Sequence, residues 1–215
     1  MSYYFPEGGK FYYSTTFAAA KTITALTNAS PAVATSTTHG YSDGDEVLIS
    51  SGWDDVNDSV YKVDQLTADT FSLVDLDTTN TDFFPASTGT GTAKKISSWV
   101  EIPQILTINN TGGDPNFAEI RPLARRNAIK VPIGFQAESI NMEIGLDPAN
   151  ATYKAMLAIG RVSTKCAFKQ VVPGGLVTYG YGYMITSQRG KQQAGNAITA
   201  SVVLTILGSS VSYGS

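Results

Sequence analysis

The sequence predicts a mainly β chain with a single α-helix and, after its first strand, a run of short strands that reads as a small β-barrel. Three observations carry this. Thr, Val, Ile, Tyr and Phe are plentiful and Gly accounts for 20 of 215 residues, a composition that favours strands and tight turns over helix. Short apolar runs separated by Gly, Pro, Asn and Asp recur along the whole chain, which is the spacing of sheets built from hairpins. Only one segment carries apolar residues at helical spacing.

Taken in order, Gly9 to Phe17 reads as a first strand. Thr22 to Leu26, Ala32 to Thr35, Glu46 to Ser50, Val60 to Asp64 and Thr70 to Val74 follow as five short strands, separated by turn signals such as Asn28/Pro31 and Gly40 to Gly44, the pattern of a small barrel. Ser87 to Thr92 alternates Gly with Ser and Thr and reads as an exit linker. Ser98 to Asn109 is a longer strand, and Pro103 within it marks an edge or a bulge. Residues 110–132, with two glycines and three prolines, read as a long loop, a feature usually functional inside a compact domain. In the strand Gly134 to Leu146, Ile140, Met142, Ile144 and Leu146 alternate with Ser139, Asn141, Glu143 and Gly145, one face apolar and one polar. Asp147 and Pro148 start the helix, as cap and first-turn residue, with Tyr153, Met156, Leu157 and Ile159 as its apolar stripe up to Gly160. Three strands remain, Thr164 to Val172, Leu176 to Ser187 and Ala197 to Leu207, with a Pro173-Gly174-Gly175 turn after the first. The tail after Gly208 reads as loose.

The composition also bounds function. At 42% hydrophobic the chain has material for a core, and at 15% charged, against a usual quarter, part of its surface is expected to be covered by neighbours. Charge is unevenly placed: residues 1–100 hold 12 acidic side chains against 5 basic, a balance of −7, whereas residues 101–215 hold 6 against 10, a balance of +4. That asymmetry predicts two modules. No run of 18 apolar residues is present and Met1 to Pro6 lacks the regions of a signal peptide, so synthesis in a cytoplasm and no membrane partner are expected. The four N-x-S/T sequons, at Asn28, Asn57, Asn109 and Asn150, are read as chance in a Ser/Thr-rich chain.

A Ser-His-Asp arrangement needs a histidine, and His39, the one histidine, reads as a surface turn residue before Gly40. Cys166, the one cysteine, sits in a strand beside Phe168 and reads as a small core residue. The acidic cluster Asp43, Asp45, Glu46, Asp54, Asp55 and Asp58 raises calcium, but its spacing does not match an EF-hand loop, and a solvated acidic face is preferred. Gly180 and Gly182 lack the third glycine and helix of a dinucleotide loop. Alternating with Tyr179, Tyr181 and Tyr183, they predict close backbone approach on one face and aromatic packing on the other. Arg125, Arg126 and Lys130 lack interleaved aromatics, which argues against a nucleic-acid site. The chain is not expected to be an enzyme or to hold a cofactor or metal.

From about Glu101 to Gly208, the order strand, long loop, strand, Pro-led helix, strand, Pro-Gly-Gly turn, strand, strand resembles the major tail tube proteins of long-tailed, siphovirus-type bacteriophages. The resemblance is carried by Ile140 to Pro148, the helix through Gly160, Val172 to Tyr179 and Gly195 to Thr205. Separately, Ile23 to Thr35 followed by His39 to Val47, with Tyr61, Val63, Thr67 to Phe71 and Leu73, is similar to a phage-tail repeat whose small barrel is akin to a non-catalytic module of ubiquitin-activating enzymes. Together they imply a tail tube core of residues 1–20 and 97–215, a β-sandwich or barrel with one flanking α-helix that contains the 110–132 loop, and an inserted small β-barrel domain of residues 21–96. The first resemblance further implies a virion protein made of stacked rings, usually hexameric, that form a hollow tube. The tube would enclose the tape measure protein, meet tail terminator and tail-tip proteins at its ends, and conduct viral DNA. On it, Ser139, Asn141 and Glu143 are the candidate lumen residues, and Asn110, Asp114, Asn116, Phe117, Arg121, Arg125 and Arg126 candidates for contact between rings. Tubes of this kind tend to have an acidic lumen, an expectation at odds with the positive balance of residues 101–215. The alternative is a phage adhesin or a receptor- or glycan-binding β module, equally β-rich and without catalytic residues.

Overall fold

The structure, a computed structural model, describes residues 8–124 and 126–214. Among these the chain forms, in order, β1 (Lys10–Ser14), β2 (Lys21–Ile23), β3 (Ala25–Leu26), β4 (Ala32–Thr35), β5 (Glu46–Ser51), β6 (Ser59–Gln65), β7 (Thr70–Leu73), β8 (Gly91–Lys95), β9 (Val100–Glu101), β10 (Ile105–Thr111), β11 (Pro115–Ile120), β12 (Ile129–Phe135) and β13 (Ser139–Gly145). The helix α1 (Ala151–Arg161) follows, then β14 (Lys165–Val171), β15 (Val177–Thr186), β16 (Thr199–Ile206) and β17 (Val211–Tyr213). The mainly β class with one helix is as expected.

One eight-stranded sheet runs β10-β13-β16-β15-β14-β1-β9, with β17 added beside β15. Its pairs are antiparallel, and β13 and β16 bury alternate residues: Ile140, Met142 and Ile144 of β13 and Ala200, Val202, Leu204 and Ile206 of β16 enter one core, while Ser139, Asn141 and Glu143 point away from it. Tyr153 and Met156 of α1 enter the same core. Pro103 lies in the break between β9 and β10, so the chain passes there from one edge of the sheet to the other. On β15 the glycines face inward, where a side chain has no room: a Cβ at Gly182 would stand 1.8 Å from the Thr205 carbonyl oxygen. Tyr179 and Tyr181 face the other way into a separate cluster.

A seven-stranded sheet follows the path β2-β8-β5-β6-β7-β4-β3. Its first and last strands are consecutive in the chain and separated only by Thr24, whose amide donates to the Thr35 carbonyl at 2.9 Å. The sheet therefore closes on itself as a small barrel around Ile23, Val47, Ile49, Trp53, Val63, Phe71 and Leu73.

Five local expectations are corrected. The Ser87 to Thr92 stretch is not simply a linker, because Gly91 opens β8, which lies between β2 and β5. Residues 110–132 are not a loop: they close β10 and then form a β11–β12 hairpin that continues to Phe135. The helix cap is Asn150, whose side chain accepts from the amides of Thr152 and Tyr153; Asp147 instead accepts from the Ala149 amide one turn earlier. His39 is 2% exposed, not a surface residue. Its Nδ1 accepts from the Tyr41 amide at 3.0 Å and its Nε2 lies 3.0 Å from the Thr67 carbonyl, so both ring nitrogens have backbone partners. The tail is docked through β17, and Tyr213 is buried.

Candidate assembly surfaces

Among the described residues the β11–β12 hairpin pairs with no other strand. Register places Ala118 opposite Val131 and Ile120 opposite Ile129, putting four apolar side chains on one face. Phe117 with Pro132, and Pro115 with Phe135 beyond the shift at Asn116/Phe117, occupy the other face. Phe117, Ile120, Val131, Ile133 and Phe135 are all exposed, Phe135 by 77%. A lone two-stranded hairpin is marginal in water, and one apolar on both faces has nothing of its own to bury them against. Exposed apolar surface of this kind marks a contact with another molecule.

The residues named from sequence for this region are spread along it. Asn110 is exposed near the end of β10 and pairs with Ile140. The Asp114 carbonyl accepts from the Gln136 amide at 2.9 Å at the hairpin base. Asn116 and Phe117 flank the register shift. Arg121 pairs with Glu119 at 3.3 Å, both largely solvated, so the pair adds little stability. Arg126 is exposed in the turn between the strands, and Arg125 lies outside the described residues. The apolar positions Ile129 to Phe135, which dominate the surface, were missed; the alternation of Ile129, Val131 and Ile133 was their only signal.

A second surface is the outer face of β10, β13 and β16. Ser139, Asn141 and Glu143 lie side by side on it, opposite Thr111, Asn109 and Thr107 of β10 and Thr205, Val203 and Ser201 of β16. Glu143 accepts from Lys191 Nζ at 2.6 Å. Among the described residues the far edge of β10 pairs with no strand, and beside it a cleft is lined by Gly9, Lys10, Ile105, Ile108, Gln170 and Val172.

The outer face of β14 and β15, by contrast, is covered by the small barrel. Leu48, Val60 and Ile96 pack there against Ala167, Tyr179, Tyr181 and Tyr213. Glu46 of β5 accepts from Lys169 Nζ at 2.7 Å, Tyr179 Oη at 2.5 Å and Trp99 Nε1. Burial first, and the Glu46 hydrogen bond second, push the Tyr179 hydroxyl pKa well up from its usual range. Asp58 meets Lys165 at 3.4 Å. Glu46 and Asp58 of the acidic cluster thus serve separate contacts, and among the described residues no group of three or more His, Cys, Asp or Glu is placed to hold a metal. Lys165 and Lys169, two of the basic residues behind the positive balance, are spent on this joint. Cys166 is fully buried beneath it, and burial pushes its thiol pKa up to about 12. Trp53 is 1% exposed in the small barrel, so no sugar can stack on it.

A mainly β chain that leaves an apolar hairpin and an unpaired sheet edge uncovered has the makings of a structural subunit of a larger assembly. The family model of phage tail tube proteins matches residues 51–215, more than half of the chain, and the protein belongs to that family. It is accordingly a structural protein of the bacteriophage virion, a component of the tail tube. A comparison with curated proteins finds no match.

Proposed function

We propose that the chain assembles into rings, hexameric as the resemblance implies, that stack into the hollow tail tube of a siphovirus-type phage. The tube encloses the tape measure protein, ends at terminator and tip proteins, and conducts viral DNA at ejection. The observation that carries this reading is the β11–β12 hairpin, whose exposed apolar residues on both faces are covered by nothing among the described residues. Burying them against a neighbouring copy, in the same ring or the next, removes apolar surface from water at each contact. The unpaired edge of β10 supports ring formation in the same way, because strand pairing between copies satisfies its free amides and carbonyls. Ser139, Asn141 and Glu143 then face the lumen. The small barrel, residues 21–96, is read as a domain inserted between residues 1–20 and 97–215 and carried on the outside of the tube.

The experiment is to replace Ile133 and Phe135 by Ser and examine the purified protein by negative-stain microscopy. The variant is expected to stay folded by circular dichroism, since both residues are exposed, and to form no tubes. Tubes of ordinary length from this variant would refute the role of the hairpin.

A further inference from the structure

The strands β10, β13 and β16 together contain a single ionisable side chain, Glu143. That carboxylate is met by Lys191 Nζ at 2.6 Å. Lys191 does not reach in from a free loop: its backbone forms a β-bridge with Thr199, with the Lys191 amide donating to the Thr199 carbonyl at 2.8 Å and the Thr199 amide returning a bond at 3.3 Å. Thr199 is in turn opposite Gly145, two residues from Glu143 on the same strand. The lysine is therefore held at a fixed register beside the one acid of this face. With side chains 79% and 36% exposed, the pair contributes little to stability. Its effect is on charge.

We propose that Lys191 is a charge-balancing residue that makes this face electrically neutral, so that a polyanion sliding over it is neither captured nor repelled. The inference rests on the reading of this face as the lumen. Around the pair the surface offers Ser139, Asn141 and Ser201, hydroxyls and an amide without charge. Duplex DNA is bound non-specifically in proportion to the phosphates that cations neutralise. A face whose lysine is already paired offers it no uncompensated cation. Repeated by symmetry in every copy, a change of one charge per chain becomes a charged belt at every ring, and this face is therefore sensitive to a single substitution.

The test uses assembled tubes and a short duplex DNA, with retention measured by co-sedimentation between 20 and 200 mM salt, roughly the range over which such contacts weaken steeply. Glu143→Gln leaves Lys191 unpaired. It is expected to raise retention on the order of tenfold at the lowest salt, with a log–log slope near −0.9 per phosphate contacted. Wild type and Lys191→Gln should show neither. The reversed pair, Glu143→Lys with Lys191→Glu, should return to wild-type behaviour. Equal retention by wild type and Glu143→Gln, or failure of the reversed pair to restore it, overturns the charge balance. The lumen reading is tested separately with Asn141→Cys, because Cys166 is buried and silent. In tubes a small maleimide should react and one coupled to a large protein should not. Reaction with both overturns the lumen assignment while leaving the charge result to be judged on its own.

Discussion

Replacing Glu46 by Ala removes the acceptor on which the joint between the two sheets converges. Lys169 Nζ at 2.7 Å, Tyr179 Oη at 2.5 Å and Trp99 Nε1 would all lose their partner. The two ionised side chains are 15% and 23% exposed, which makes this a largely buried pair. Breaking such a pair by deleting one partner costs about 3–5 kcal/mol. Lys169 keeps some water and also lies 5.3 Å from the Trp99 ring and 5.7 Å from that of Tyr179, contacts that soften the loss. The lower end, about 3 kcal/mol, is expected. At roughly 2–4 °C per kcal/mol for a chain of this size, the melting temperature should fall by about 6–12 °C. Urea unfolding followed by tryptophan fluorescence gives the free energy, with Trp99 in the joint and Trp53 inside the small barrel as reporters. A cycle with Lys169→Met should return a coupling energy of about 1–3 kcal/mol. A loss below about 1 kcal/mol for Glu46→Ala, or a coupling near zero, would mean that solvent already screens the joint, and the reasoning would be wrong.

Two further outcomes follow from packing and burial. Gly182→Ala places a Cβ 1.8 Å from the Thr205 carbonyl oxygen and should destabilise by about 3 kcal/mol, at the upper end for overpacking, whereas Gly214→Ala, with nothing within 4 Å, should be neutral; equal stability of the two by urea unfolding would contradict the close approach of β15 and β16. Burial pushes the hydroxyls of Tyr41, Tyr181 and Tyr213 from 10.0 up to about 12. The folded chain thus holds protons that the unfolded chain releases, so stability is full below pH 10 and declines as pH rises from about 10 to 12. Absorbance at 295 nm should show these tyrosines ionising together with loss of circular dichroism; ionisation of all 11 near pH 10 in a still-folded protein would refute it.

Where one face of a strand is buried and the other wet, the sequence spells it out, and Ile140, Met142 and Ile144 of β13 were legible for that reason. What escaped was set by partners distant in the chain. Tyr213 looked like part of a loose tail, yet its hydroxyl accepts from the Lys62 amide at 3.0 Å and donates to the Val74 carbonyl at 3.2 Å. Gly89 and Gly91 imitate a linker, although a Cβ at Gly91 would lie 1.9 Å from the Ser50 carbonyl oxygen and one at Gly89 would strike the Trp53 ring. His39 is buried because two backbone groups satisfy both ring nitrogens, which no local pattern announces. The hairpin was hidden by Pro115, Pro132 and Gly134, residues that usually punctuate strands. Of the candidate assembly surfaces, the polar alternation of β13 was readable, whereas the Glu143–Lys191 pair, 48 residues apart, was not.

The joint between the sheets has a consequence for how the particle would look. The small barrel is tied to the core by the adjacent connectors, where Phe17 bridges Ile96, by Lys165 and Lys169 four residues apart along β14, and by Tyr213 from β17. A body fastened at points spread over several strands has no hinge axis to swing about. In an averaged image of the proposed tube, with the barrels carried outside, they would stand as sharp, regularly spaced knobs of the same height and tilt, and would not fade into the blurred halo that a tethered domain leaves.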